Sequence, residues 1–327
     1  MSQLETIQAP VREDLEQFNA LFSSSLSTGD GLLGVALKHL CQRSGKQMRP
    51  LLLLLTAKAC GEVTMKCQHA ACALEMLHLA SLIHDDVVDE SDMRRGVKSV
   101  NALMGNQVAV LVGDFLFSKA LEHAVMTRSM RVMRIVSILG QTLAKGELEQ
   151  IDNLSSDEIS ESAYFSVIRR KTASLFSACA ELGALLSGGD KGDVTRMRGI
   201  GTLIGICFQL RDDILDYLGQ ESGGKEMMGK PVGHDLREGK LTLPVIHLAM
   251  MHPEYRDMIL SVRRGKANEE QITELVRLVM EGEGIAYSEK TMDDFCNMTN
   301  GLISDIKEKN LQETFRSYVS FVAGRKW

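Results

Sequence analysis

Apolar residues recur along this chain at three- and four-residue intervals, the spacing that gathers them on one face of an α-helix. Leu74, Leu77, Ser81 and Asp85 form one such row, and Leu203, Ile206 and Leu210 form another. Strict alternation is scarce, so little sheet is expected. Proline sharpens the picture, because inside a helix it removes a donor and clashes with the preceding turn. The chain has five prolines, and none lies between Pro50 and Pro231. The pattern predicts helices over 5–23, 31–42, 49–60, 66–94, 104–127, 129–150, 157–186, 192–219, 237–251, 255–263, 268–282, 285–307 and 310–324. A turn is expected at Ser187-Gly188-Gly189-Asp190, and a longer glycine-rich loop from Gly219 to Gly239. No repeat array or domain linker is visible, so the expectation is one all-α domain over residues 1–327.

Composition narrows the classes. Of 327 residues, 44% are hydrophobic, enough for a substantial core. A net charge of −6 argues against a general nucleic-acid binder, which would need a positive field to gather phosphates. The seven cysteines, Cys41, Cys60, Cys67, Cys72, Cys179, Cys207 and Cys296, contain no CxxC pair. Reduced, mostly buried thiols in a cytoplasmic protein are expected. Met1 to Glu13 lacks the basic segment and apolar stretch of a signal peptide. No uninterrupted apolar run approaches the ~20 residues of a membrane span.

The chemistry lies in two acidic clusters. Asp85, Asp86 and Asp89 end one apolar stretch, and Asp212, Asp213 and Asp216 repeat the spacing in another. In a helix the first and last acid of each triplet stand one turn apart on one face. One triplet alone reads as a solvated helix end. Two on otherwise apolar helices call for a compensating cation, since desolvating unpaired carboxylates is costly. Mg²⁺ prefers carboxylate oxygen and shares its shell with substrate phosphates, so the two clusters are expected to clamp one diphosphate. Basic residues flank them: Lys46 and Arg49 before a helix, Arg94 and Arg95 after the first cluster, then Lys171 with Thr172, and Lys230 and Lys240 around the glycine-rich loop. Adjacent helical residues point ~100° apart, so Arg94 and Arg95 are expected to address two different diphosphates. A single lysine of this kind reads equally as a solvated surface residue, and His78 as a core histidine bonded to backbone.

Together these motifs resemble the trans-isoprenyl diphosphate synthase (polyprenyl synthetase) family, in particular its long-chain, octaprenyl-type members. The similarity runs from Gly45 to Pro244 and is strongest over 81–96, Phe208–Asp213 and Gly229–Lys240. It implies a bundle of long antiparallel helices around a deep central cavity (the isoprenoid synthase fold), working as a homodimer. The implied reaction is head-to-tail condensation of isopentenyl diphosphate with an allylic diphosphate. By the same resemblance, Asp85, Asp86, Asp89, Asp212, Asp213 and Asp216 hold Mg²⁺. Arg94, Lys171, Thr172, Gln209, Lys230 and Lys240 bind the allylic diphosphate, and Lys46, Arg49, His78 and Arg95 bind isopentenyl diphosphate. Gln47 departs from the pattern, since many relatives carry a basic residue there. Peripheral contact with a membrane is expected for product release.

The competing readings are a terpene cyclase, disfavoured by the second Asp-rich motif and by only 5% aromatic residues; a head-to-head synthase, whose family lacks Gly-Lys-x-x-Arg-Pro; and a non-catalytic regulatory subunit, in which the aspartate motifs are typically degraded. Chain length is read from the wall above the first cluster. Counting back by helical turns from Asp85 gives Ser81 and Leu77, with Ala80 beside Ser81. Short-chain relatives often carry bulky aromatics at the Ala80 and Ser81 positions. Here both are small, so a product longer than farnesyl is expected, with a short-chain farnesyl or geranylgeranyl product as the alternative.

Overall fold

The structure, a computed structural model, describes residues 2–27, 31–41, 45–94, 96–218 and 232–325. In chain order the helices are α1 (Gln3–Gln8), α2 (Arg12–Leu26), α3 (Leu32–Cys41), α4 (Met48–Cys60), α5 (Met65–Val88), α6 (Val100–Met104), α7 (Asn106–Met126), α8 (Met130–Ser155), α9 (Glu161–Ile168), α10 (Ser174–Leu186), α11 (Lys191–Leu218), α12 (His234–Arg237), α13 (Leu243–Met251), α14 (Arg256–Arg263), α15 (Glu269–Glu281), α16 (Gly284–Ile303) and α17 (Lys309–Gly324). The only strands among the described residues are β1 (Met93–Arg94) and β2 (Val97–Lys98), an antiparallel hairpin. The chain forms two compact units. The first comprises Met1–Gln141, Leu175–Gly201 and Leu302–Tyr318; the second comprises Thr142–Ser174, Thr202–Gly301 and Val319–Trp327.

In the first unit, Leu51, Leu52, Leu53, Leu54 and Leu55 of α4 are all at 0% exposure. Five consecutive buried leucines mean that α4 is enclosed on every side rather than amphipathic, each side chain contributing roughly 1.5–3 kcal/mol of burial. Pro50 is tolerated because it lies in the first turn of α4. The Tyr318 hydroxyl donates to the Met48 carbonyl at 2.6 Å and pins that end. α10 approaches α4 at Gly183, where an added Cβ would lie 2.4 Å from the Leu53 carbonyl oxygen. α5 packs along α7, and it also rests on α4 and α2. The second unit is organised around Val245 and Leu248 of α13, Ile259 and Val262 of α14, and Leu275 and Val279 of α15.

Besides shifts of up to five residues at other helix ends, four expected helices are divided or cut short. The segment 5–23 is divided at Pro10 by a short 3-10 turn, Ala9–Val11. The segment 66–94 stops at Val88: Glu90 takes a left-handed φ of 49°, and the Ser91 N–H caps the Asp86 carbonyl at 2.9 Å. The segment 157–186 is interrupted by a π-helical turn, Arg169–Ala173. The segment 237–251 is split by Gly239, at φ 73°, and restarts with Pro244 in the first turn of α13. The glycine-rich loop expected from Gly219 lies outside the described residues as far as 231.

Close packing at Gly183 gives the first prediction. Gly183→Ala should destabilise the protein by about 1–3 kcal/mol, because backbone on α4 must shift. Gly301→Ala on α16, where an added Cβ meets nothing within 4 Å, should instead stabilise it by about 0.4–1 kcal/mol. Urea midpoints of the two variants should move in opposite directions.

Candidate active site

The first triplet occupies the C-terminal end of α5. Asp85 and Asp86 lie in its last turn and Asp89 is its C-cap residue. The helix macrodipole is negative there, so carboxylates at this end are disfavoured by ~0.3–1 kcal/mol each. Asp86 is buried at 4% exposure, and its Oδ1 accepts from Arg94 Nε at 2.6 Å. The turn after α5 is held by Asn101 Nδ2, which donates to the Asp86 and Ser91 carbonyls at 3.2 Å each, and by Ser99 Oγ, which donates to the Ser91 carbonyl at 2.7 Å. The expectation that Arg94 continues the same helix is therefore corrected. Arg94 stands on β1 and folds back onto the triplet, because the capped turn at Glu90 reverses the chain. Arg95 lies outside the described residues.

The other candidates in the first unit are spread over α4 and α5. Lys46 and Arg49 border the start of α4, and the Arg49 guanidinium sits 4.8 Å from the Phe176 ring centroid. Gln47 adopts a left-handed φ of 49° and donates to Asn19 Oδ1 at 2.6 Å. His78, Ala80 and Leu77 are buried. Ser81 is half-buried, and its hydroxyl donates to the His78 carbonyl at 2.9 Å.

The second triplet lies in the last two turns of α11, and its partners are more completely drawn. Asp213, at 3% exposure, accepts from the Tyr164 hydroxyl on Oδ2 at 2.5 Å and from Gln209 Nε2 on Oδ1 at 2.8 Å. Gln209 in turn accepts on Oε1 from the Thr172 hydroxyl at 2.6 Å. The π-turn thus delivers Thr172 to the triplet through Gln209. It also sets the Lys171 ammonium against the Glu147 carboxylate of α8. Gly146 permits that approach, since a Cβ there would lie 2.9 Å from Arg170 Cβ. Asp216 accepts the backbone N–H groups of His234 and Asp235, both at 3.1 Å. Asp212 pairs with Arg325 at 2.6 Å, and that guanidinium stacks 3.6 Å from the centroid of the Phe208 ring. Lys240 pairs with Glu238 at 2.7 Å; burial opposes ionisation of Glu238, but His234 and Lys240 together hold it down to about 2. Lys230 lies outside the described residues.

Sequence reasoning missed Tyr164, Asp235 and Arg325. Asp235 had a signal, an acid within the quoted Gly229–Lys240 block; Tyr164 and Arg325 had none. Burial, then the neighbouring Asp235, pushes the Asp213 carboxyl well above the usual range. Burial, then Asp216, raises Asp235 to about 7. Among the described residues no three carboxylates, imidazoles or thiols already surround one point. The acids of the two triplets offer carboxylate oxygen, the donor that hard divalent cations prefer.

Residues 31–279 match the family model described as polyprenyl synthetase. The octaprenyl diphosphate synthase of Haemophilus influenzae is 35% identical over 288 residues, covering 87% of this chain and 86% of the relative. Among solved structures, a geranylgeranyl pyrophosphate synthase from Bacteroides thetaiotaomicron is 38% identical with a TM-score of 0.86, covering 99% of this chain and 100% of that one. A polyprenyl synthase from Caulobacter crescentus, complexed with calcium and isoprenyl diphosphate, is 29% identical with a TM-score of 0.91, covering 99% and 98%. These likenesses establish the all-α isoprenoid synthase fold.

The buried acids generate a pH prediction. A carboxyl raised from 3.8 to about 7 on folding contributes stability that is fully present below 3.8 and is lost as pH rises through about 7. Asp235→Asn should remove that part of the profile, on the order of a few kcal/mol. Thermal unfolding of metal-free wild type and variant across this range tests it, and parallel profiles would contradict the assignment.

Proposed function

The chain belongs to the polyprenyl synthetase family, and on that premise we propose that it condenses isopentenyl diphosphate head-to-tail with an allylic diphosphate as a Mg²⁺-dependent trans-prenyltransferase. The observation that carries this reading is the pair of Asp-Asp-x-x-Asp triplets, each at the end of an apolar helix, each with its middle acid buried and given a fixed donor. We assign Asp85, Asp86, Asp89, Asp212, Asp213 and Asp216 to metal binding. Bound there, Mg²⁺ supplies positive charge to stabilise the departing diphosphate. Arg94, Lys171, Thr172, Gln209, Lys230 and Lys240 bind the allylic diphosphate in this proposal. Lys46, Arg49, His78 and Arg95 bind isopentenyl diphosphate.

The chain's own residues orient and shield. The Thr172–Gln209–Asp213–Tyr164 series fixes one carboxylate, so its oxygens need not reorganise as charge develops. Apolar side chains beside the triplets exclude water from the allylic cation. No side-chain base is assigned, and the released diphosphate takes the proton. Intact triplets argue against a regulatory subunit. We further propose one functional domain over residues 1–327 acting as a homodimer in the cytoplasm, with peripheral membrane contact for product release. No helix among the described residues is long and apolar enough to cross a membrane.

The chain-length wall is Ala80, Ser81 and Leu77. The unbroken α5 keeps Leu77, Ser81 and Asp85 on one face, and neither Ala80 nor Ser81 is bulky. We therefore propose a product in the hexaprenyl-to-decaprenyl range. The likeness to a geranylgeranyl pyrophosphate synthase favours a second reading, termination at a short chain. Incubation with farnesyl diphosphate, excess isopentenyl diphosphate and Mg²⁺, followed by mass spectrometry of dephosphorylated products, decides between them. A wild-type product no longer than geranylgeranyl would reject the long-chain assignment.

Two mutational outcomes follow. Asp85→Ala and Asp212→Ala should each keep the fold by circular dichroism and lose at least ~100-fold in turnover. Near wild-type turnover of either at saturating Mg²⁺ would remove that triplet from the reaction. Ala80→Phe with Ser81→Phe should shorten the product while preserving the first condensation; an unchanged long product would show that the tail takes another path.

A further inference from the structure

Cys207 of α11 and Cys296 of α16 are separated by 89 positions in the chain, yet their sulfur atoms lie 3.6 Å apart. Both belong to the second unit, and neither takes part in the reaction proposed above. The two thiols are unequal. Cys207 is buried at 1% exposure and also reaches the Met292 carbonyl oxygen at 3.8 Å. Cys296 is partly exposed. We propose that this pair is an oxidation site, which takes a hydroperoxide at Cys296 and closes with Cys207 as an intramolecular disulfide.

The asymmetry assigns the roles. The hydrogen bond between the two thiols holds Cys296 below the usual cysteine range, while that contact and burial push Cys207 up. The thiolate is the reactive form, so the accessible Cys296 attacks first. Its sulfur bonds to one peroxide oxygen as the O–O bond breaks. The second oxygen leaves as water or an alcohol after taking a proton, and Cys296 becomes a sulfenic acid. The Cys207 sulfur then attacks the Cys296 sulfur. The S–S bond forms, the S–O bond breaks, and hydroxide leaves with the Cys207 proton as water. Two thiols are oxidised and one hydroperoxide is reduced. To form the bond the sulfurs close from 3.6 Å to the ~2.05 Å of a disulfide. Cys60 provides an internal contrast: it is also partly exposed, but burial pushes its thiol up to about 11, so it should react slowly.

The test uses the full chain, reduced and then freed of reductant, treated with hydrogen peroxide near equimolar and alkylated before non-reducing digestion. The expected result is a cross-linked peptide joining Cys207 to Cys296 as the main oxidised product, in monomer-linked form, abolished by dithiothreitol. Cys207→Ser should leave Cys296 as a sulfenic acid that dimedone traps and that runs on to sulfinic acid. Cys296→Ser should leave Cys207 unoxidised at the same dose. Wild-type protein in which Cys296 reaches sulfinic acid without cross-linking, or in which Cys60 is oxidised first, overturns the proposal. Both of those outcomes are read on wild type and do not depend on a variant folding.

Discussion

Negative charge held at the wrong end of a helix is the constraint around which this molecule is arranged. The first triplet closes α5 and the second lies in the last two turns of α11, where the macrodipole is itself negative. Burial of Asp86 and Asp213 adds a desolvation penalty that dipole terms cannot offset. Four of the six acids are held by a defined donor. Arg94 serves Asp86; Tyr164 and Gln209 serve Asp213; Arg325 serves Asp212; and two backbone N–H groups at the start of α12 serve Asp216. These contacts neutralise only in part, since Asp213 and Asp235 are both pushed above the usual carboxylate range. In each unit, part of the cost of holding these carboxylates in place is met when the chain folds.

Helical regularity fails mainly where this constraint bites. The capped turn at Glu90, the hairpin that returns Arg94, the π-turn carrying Lys171 and Thr172, and the short α12 all adjoin a triplet. Elsewhere the helices are held by ordinary means. The five buried leucines of α4 and the bare face of Gly183 give the first unit an interior that fixes the start of α4, where Lys46 and Arg49 stand.

Much of this was legible in the chain. A proline-free stretch with three- and four-residue apolar spacing predicts long helices, and α5, α7 and α11 match to within a few residues at their starts. The triplets and Gln209 could be read directly because their spacing is local. What escaped was set by contacts distant in sequence. Residues 89–94 contain no glycine or proline to announce a turn, so only the left-handed Glu90 reveals the reversal that carries Arg94. An extra residue in a π-turn leaves no compositional mark in Arg169–Ala173. Tyr164 and Arg325 acquire meaning from Asp213 and Asp212, 49 and 113 positions away, and the pairing of Cys207 with Cys296 from a fold that a cysteine count cannot reveal.

The π-turn also bears on how this chain can change over generations. Deleting one residue from Arg169–Ala173 would let 161–186 run as the continuous α-helix that its hydrophobic pattern predicts. The same deletion would carry neighbouring side chains round by about 100°, taking Lys171 from Glu147 and Thr172 from Gln209. Residue identity here can drift one substitution at a time, whereas residue number cannot. Lineages descended from this sequence should therefore vary in spelling across the turn while keeping its length, and a gap placed there in an alignment would mark either an error or a site that has lost its geometry.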